Sequence, residues 1–257
     1  AKGYIIERQR DGKREKLGII KLPGFYDKCS SHCRILLERF NKEKVDGVVL
    51  DLRHNGGGIL QEAVNLTGLF ITRGPVVQIK DYRGRQRVMS DVNVNVTYNG
   101  PLVVAVSHMS ASASEIVAAA LQDHGRAVIV GGKTTHGKGT VQQLLPLNRS
   151  FIANLAEDSG QLKFTISKFY RINGATTQRD GVTADIALPS IMDYLGTSEG
   201  ELPRALEADR IAEAEYKSLD QVSGFFTSLL RASSKRIKTD QDYIYIQEDI
   251  ARAKDRK

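Results

Sequence analysis

Three times in this chain a short stretch with a continuous apolar centre leads into a loop of small residues. Val45–Leu52 runs into Asn55-Gly56-Gly57-Gly58, Leu102–Val106 leads to Ser110-Ala111-Ser112-Ala113-Ser114, and Ala127–Val130 leads to a glycine-rich turn from Gly131 to Gly139. A continuous apolar run of this length reads as a buried strand rather than a half-exposed one. Helices are predicted after the first two loops, over Leu60–Phe70 and Ser112–Gln122, and a strand after the third, over Thr140–Leu145. Strand, glycine loop, helix and strand again is the rhythm of an α/β layered fold.

The flanks fit the same scheme. Tyr4–Arg8 and Leu17–Leu22 read as strands joined by an Asp11-Gly12 turn, and Pro23-Gly24 breaks the second. Cys33 to Phe40 has helical spacing, while Val76–Ile79, Arg87–Met89 and Lys163–Tyr170 read as strands. Beyond them the character changes. Gly196 to Pro203 is polar and reads as a linker, followed by charged helices predicted over Arg204–Tyr216, Val222–Leu230 and Tyr243–Ala253. With 257 residues there is room for one large domain, or one domain and an appendage. The division is expected at 1–195 and 196–257. There is no internal repeat.

Charge and cysteine content exclude more than they assign. The net charge of +7 is scattered into short clusters at Arg8–Lys16, Arg231–Lys238 and Arg252–Lys257, none interleaved with aromatic residues as a single-strand platform requires. The charge alone would admit a nucleic-acid binder, but no finger or helix-turn-helix spacing is present. Cys29, His32 and Cys33 offer three ligands where a zinc finger needs four, so two plain thiols are expected. A disulfide one helical turn apart is geometrically awkward. The chain opens on Ala-Lys-Gly-Tyr without an apolar leader and has no run of 18 apolar residues.

Three motifs carry the chemistry. In Asp51-Leu52-Arg53-His54-Asn55-Gly56-Gly57-Gly58, the glycines can aim backbone N–H groups at one point, or simply make a tight turn. In Ser110-Ala111-Ser112-Ala113-Ser114-Glu115-Ile116, a serine at a helix N-terminus is favoured as an alkoxide, though an ordinary N-cap has the same composition. In Thr135-His136-Gly137-Lys138-Gly139-Thr140-Val141-Gln142, a lysine between glycines can be a buried base or a solvated loop residue. Gly132 and Gly137 have phosphate-loop spacing before Lys138, but Gly139 stands where that loop requires Ser or Thr.

Together these motifs resemble those of the tail-specific, or C-terminal processing, peptidases. Lys21-Leu-Pro-Gly-Phe-Tyr, Lys168-Phe-Tyr-Arg-Ile-Asn-Gly and Gly181-Val-Thr-Ala-Asp-Ile are similar as well, so the resemblance covers roughly residues 17 to 189. It implies a crotonase/ClpP-like layered core with a helical C-terminal extension. It implies a Ser–Lys dyad of Ser112 and Lys138, with Gln142 orienting the lysine. Ser110 and Ser114 are the lesser candidates. The oxyanion hole would use the backbone N–H groups of Gly58 and Ala113, with Gly57, Glu115, Asp123 and Thr135 in support. His136 stands where the family usually has Phe, which invites a Ser–His reading, although packing is the simpler role. The loop Gly131-Gly132-Lys133-Thr134 is one residue longer than usual and puts Ser112 and Lys138 26 positions apart.

The resemblance implies a serine endopeptidase that acts on proteins with apolar C-termini in the periplasm or cell envelope. Neutral Lys138 would take the Ser112 proton, an acyl-enzyme would form, and no metal or organic cofactor would be needed. It implies protein substrates, no nucleic acid and no membrane span, and leaves a homo-oligomer open. Family members often hold the substrate tail with a PDZ domain, and none is found here. Thr67-Gly68-Leu69-Phe70 only faintly resembles a carboxylate-binding loop. The alternatives are a catalytically inactive scaffold or a crotonase-like module binding an acyl thioester. The Ser112, Lys138 and Gln142 set favours the protease.

Overall fold

The three apolar runs become adjacent parallel strands. The computed structural model describes residues 1–10, 12–147, 160–194 and 198–255. Strands β1 (Lys2–Arg10) and β2 (Lys13–Lys21) form an antiparallel hairpin. Next come α1 (Cys29–Lys42), β3 (Gly47–Asp51), α2 (Leu60–Thr67), β4 (Gly74–Asp81), β5 (Gln86–Asp91), β6 (Leu102–Val106), α3 (Ala113–Asp123), β7 (Val128–Gly131), β8 (Thr140–Pro146), β9 (Gln161–Tyr170) and β10 (Ile186–Ala187). Helices α4 (Phe226–Thr239) and α5 (Gln241–Asp255) complete the order.

Two sheets result. One has the order β1-β2-β3-β6-β7-β10, parallel from β2 to β10; the other is the antiparallel β5-β4-β9-β8. In the first, Asp51 pairs with Ala105, which pairs with Val130. The strands therefore end side by side, and the three loops singled out above emerge along one edge. Loops at the carboxyl ends of parallel strands are where such sheets place their ligands.

Helix α3 sits between the layers. It packs against β7 of one sheet and β4 of the other, and Ala113 through Leu121 are buried. Its run of alanines suits this position, because a helix covered on all sides has to be thin and apolar all round. Leu37, Phe40, Leu50, Leu66, Phe70, Val104, Val117 and Ile129 form the centre of the core.

The C-terminal part departs from the sequence reading. Residues 205–220 are not helical but take no regular structure. The segment lies along the core as a strap. Ile211 N–H donates to Gly174, Ala214 N–H to Ile172 and Leu219 N–H to His124, at 2.8–3.0 Å. Asp209 accepts from Tyr170 Oη and Lys168 Nζ, and the Tyr216 ring meets His124 edge-on. These long-range bonds replace those a helix would make, and they override a composition rich in Ala, Glu and Leu. The helix predicted at 222–230 begins with a 3₁₀ turn at Ser223–Phe225 and runs further, to Thr239.

Cys29 and Cys33 are free thiols buried in α1, both pushed up to about 12 by burial. Thr67 ends α2, and Leu69 and Phe70 are core residues. No helix among the described residues is long and apolar enough to cross a membrane. Asp11, the expected division at 195/196, linker residues Gly196 and Thr197, and the last two residues of the chain lie outside the described residues.

Candidate active site

The loop after β3 is fixed from two sides. Asn55 is fully buried; its amide nitrogen donates to the Leu22 carbonyl at 3.0 Å, and its side-chain oxygen accepts from Gly57 N–H at 2.9 Å. Phe25 N–H donates to Gly57, and Ile59 N–H to Phe25. Gly57 adopts φ 105°, and a Cβ there would stand 2.8 Å from both Ser112 Cβ and the Ala111 carbonyl. Only glycine lets the two loops approach so closely.

The serines of the second loop divide into two kinds. Ser110 and Ser114 are fully buried and donate to the backbone carbonyls of Leu52 (2.8 Å) and Asn55 (2.7 Å). They join the second loop to the first. Ser112 lies between them, half-buried, at φ 57° and ψ −113°, directly before α3. Such a conformation costs a non-glycine residue about 1–3 kcal/mol and turns the side chain out of the helix line.

Glu115 ties the second loop to the third. Its carboxylate is fully buried and accepts four hydrogen bonds: Ser112 N–H (2.7 Å), Thr135 Oγ1 (2.6 Å), Gly137 N–H (2.7 Å) and Lys138 N–H (3.0 Å). One side chain thus holds the backbones of Ser112 and Lys138. Burial pushes its carboxyl up to about 7, against the opposing pull of the four donors. Thr135 Oγ1 in turn accepts from Val182 N–H at 2.7 Å, which commits its proton to Glu115.

Gly137, at φ 96°, lies where a Cβ would stand 2.6 Å from the Arg179 carbonyl. The Lys138 carbonyl accepts from Thr177 Oγ1, and Gly139 N–H donates to Gln178. Lys138 Nζ donates to Gln142 Oε1 at 3.3 Å. The β8–β9 ladder shifts register between Val141 and Gln142. A bulge of this kind re-aims the side chain beside it.

These parts enclose a cavity of about 250 Å³ lined by Gly58, Ser112, Ala113, Lys138, Gln142 and Lys163, with Ile116, Leu144 and Phe169 as apolar wall. Among the described residues, neither Gly58 N–H nor Ala113 N–H has an acceptor. Burial lowers the pKa of Lys138 below the usual lysine range; Lys163 acts in the same direction, and Glu199 and Glu115 oppose it. No hydrogen bond joins Lys138 Nζ to the Ser112 hydroxyl. Catalytic contacts are often long in a free enzyme and tighten around substrate.

Two residues singled out from the sequence lie elsewhere. Asp123 is at the far end of α3, about 16 Å along the axis from Ser112 at 1.5 Å per residue. There it accepts from Arg171 Nε (3.0 Å) and Asn173 Nδ2 (2.9 Å). His136 does not line the cavity. Its ring meets His108 edge-on and its Nε2 lies 3.7 Å from Glu199, while burial lowers its pKa. The His136 backbone N–H donates to the Ser110 carbonyl. Sequence reasoning does not single out Asn55 or Lys163. Asn55 has only its place before three glycines as a signal, and Lys163 has the pattern of any alternate residue in a strand.

Comparison with known proteins identifies the family of the chain. The sequence model of peptidase family S41 matches residues 16–188, and that of the C-terminal domain of tail specific protease matches 192–257. A tail-specific protease of Haemophilus influenzae is 41% identical over 240 residues, 92% of this chain and 34% of that protein. A carboxy-terminal-processing protease of Bartonella bacilliformis is 34% identical over 177 residues, 67% of this chain and 38% of that protein. Among solved structures, a photosystem II D1 C-terminal processing protease superposes with a TM-score of 0.60 at 28% identity, covering 72% of this chain and 48% of that one. The chain belongs to peptidase family S41. It spans little more than a third of the length of these two curated relatives.

Proposed function

We propose that this chain is the catalytic part of a C-terminal processing serine endopeptidase, with Ser112 as nucleophile and Lys138 as general base. One observation carries the reading. Of the three serines in the second loop, Ser112 alone lines the cavity that Lys138 and Gln142 share, while Ser110 and Ser114 commit their hydroxyls to backbone carbonyls. Lys138 is the group to take the Ser112 proton, since burial favours its neutral form. Gln142 Oε1 fixes the Nζ position.

Attack of Ser112 Oγ on a peptide carbonyl would place the oxyanion against the free N–H groups of Gly58 and Ala113. Lys138 would then return its proton to the leaving amine, and water would release the acyl-enzyme. No step calls for a metal or an organic cofactor. Proteins with apolar C-termini are the substrates in this reading, and Ile116, Leu144 and Phe169 give them an apolar wall to meet. The two family matches meet near residue 190. They support a catalytic core over 1–195 and an extension over 196–257, which is helical from Ser223 onward and carries the strap before that. The two sheets with α3 between them suit a crotonase/ClpP-like layering. A periplasmic or envelope location belongs to this reading.

The test is cleavage of a loosely folded protein bearing an apolar C-terminus, by the parent and by Ser112→Ala and Lys138→Ala. Both variants are expected to lose at least about 10³-fold in kcat/KM. Retained cleavage by Ser112→Ala would overturn the reading.

A further inference from the structure

The active-site cavity holds a second lysine to which the mechanism above gives no part. Lys163 lies on β9, paired across the ladder with Leu144 of β8, and both residues line the cavity with Ser112 and Lys138. Strand pairing fixes its place, so it is not a mobile loop cation. Among the described residues Lys163 has no ion-pair or hydrogen-bond partner. Surface lysines commonly lack one. This one faces the cavity that holds the other amine.

The charged groups around Lys138 come from four directions. Glu115 belongs to α3, Glu199 to the 3₁₀ turn at Glu199–Glu201, Lys163 to β9 and His136 to the lysine's own loop. The two carboxylates favour a protonated Lys138, which would be useless as a base. Both are committed to other donors: Glu115 to its four, and Glu199 to Gln178 Nε2 at 3.2 Å. Burial of Lys138 opposes their pull, and Lys163, placed on the cavity wall, is the cation that adds to this opposition.

We propose that Lys163 is a positioning residue for the dyad: a second cation in the same cavity, it makes a charged Lys138 costly and keeps Lys138 Nζ free to accept the Ser112 proton. This rests on the reading of Lys138 as the base. Lys163 is exposed, so solvent screens the repulsion and the effect is modest in size. At pH values below the titration of Lys138, moving that titration down by one pH unit raises the fraction of usable amine about tenfold.

The experiment is the pH dependence of kcat/KM, which reports the free enzyme. The parent is compared with Lys163→Met, which removes the charge and keeps the stem, and with Lys163→Arg. In parallel, the rate at which acetic anhydride labels Lys138 is followed against pH by mass spectrometry, which needs no turnover. The Lys138 titration is expected to rise by about 0.5–1 pH unit in Lys163→Met on both readouts and to stay in place in Lys163→Arg. Added salt should narrow the gap between the parent and the Met variant. A uniform fall in rate with an unmoved titration would overturn the proposal and leave Lys163 a packing or substrate-contact residue. Cleavage by Lys138→Ala would overturn the dyad itself, and Lys163 with it. An inactive Lys138→Ala with an unmoved titration in Lys163→Met would overturn the Lys163 role alone.

Discussion

The loops at the strand ends and the strap over 205–220 are both fastened to the core by backbone hydrogen bonds, but they are specified in opposite ways. In the loops, particular residues force the backbone: Gly57 because Ser112 leaves no room for a Cβ, Asn55 because its amide serves two chain segments, and Glu115 because four donors converge on it. In the strap, Asp209 and Tyr216 add side-chain contacts, but no residue between them forces an unusual backbone. Its N–H groups find carbonyls that the core leaves free at Ile172, Gly174 and His124. A site built on unusual conformations needs unusual residues, whereas a strap needs only a complementary surface.

The largest effect expected from this contrast is at Glu115. Glu115→Gln keeps the size of the side chain but turns an amide N–H₂ toward some of the four donors. Leaving buried donors unpaired costs about 1–3 kcal/mol each. A fall in kcat/KM of about 10²-fold or more is expected, together with a lowered Tm; an active variant would show that the loops hold themselves. Acidification gives the same loss of activity reversibly, without the loss of stability. The folded-state pKa of about 7 lies above the ordinary glutamate value, so the folded protein binds the extra proton between about 4.3 and 7. Glu115 therefore adds stability at low pH that is lost as pH rises to 7 and stays level above it. Activity runs the other way and falls below about pH 7, where the protonated carboxyl no longer accepts four bonds. Activity that holds at pH 5.5 would break the comparison.

The next effect belongs to Gly57. Gly57→Ala must place a methyl 2.8 Å from Ser112 Cβ, on a backbone at φ 105°. About 1–3 kcal/mol of strain results, and it falls on the nucleophile's own loop. kcat/KM is expected to drop about tenfold or more with KM little changed, and a near-normal kcat would show that the loop can retreat.

The same contrast explains what is legible in the sequence. The strands β3, β6 and β7 each have a continuous apolar centre, and the three site motifs contain residues that a plain turn or helix does not need. Even Glu115 stands out by its place three residues after Ser112, although its four bonds do not. The strap reads as a helix because its Ala, Glu and Leu content favours one and because the carbonyls that accept from Ile211, Ala214 and Leu219 lie 37 to 95 positions back in the chain. Lys163 is illegible for a related reason. Its meaning depends on the pairing of β9 with β8, and no local pattern announces that.

The strap should therefore matter to stability and little to chemistry. Gln78 is buried on β4 and its amide donates to the carbonyls of Arg171 (3.1 Å) and Ala212 (3.0 Å), so it links strap and core. Gln78→Leu leaves those carbonyls without their donor and is expected to cost about 1–2 kcal/mol, read in denaturant unfolding, with kcat/KM within about twofold. A loss of activity in proportion to stability would couple the strap to the site through Arg171 and Asp123.

The smallest effect is the one that separates fastening by backbone from fastening by charge. Glu207 sits in the strap, and its carboxylate meets Arg179 Nη1 at 2.6 Å. The pair is close, yet the Glu207 side chain is 83% exposed. Water competes for both partners and salt screens them, so such a pair contributes between nothing and about 1 kcal/mol. Glu207→Ala should change unfolding stability by less than about 0.5 kcal/mol, and Ile211→Pro, which deletes the N–H donated to Gly174, by clearly more. The reverse order would mean that charge rather than backbone pairing holds the strap down. Residues 205–220 would then be free to follow their composition into a helix whenever ionic strength rises.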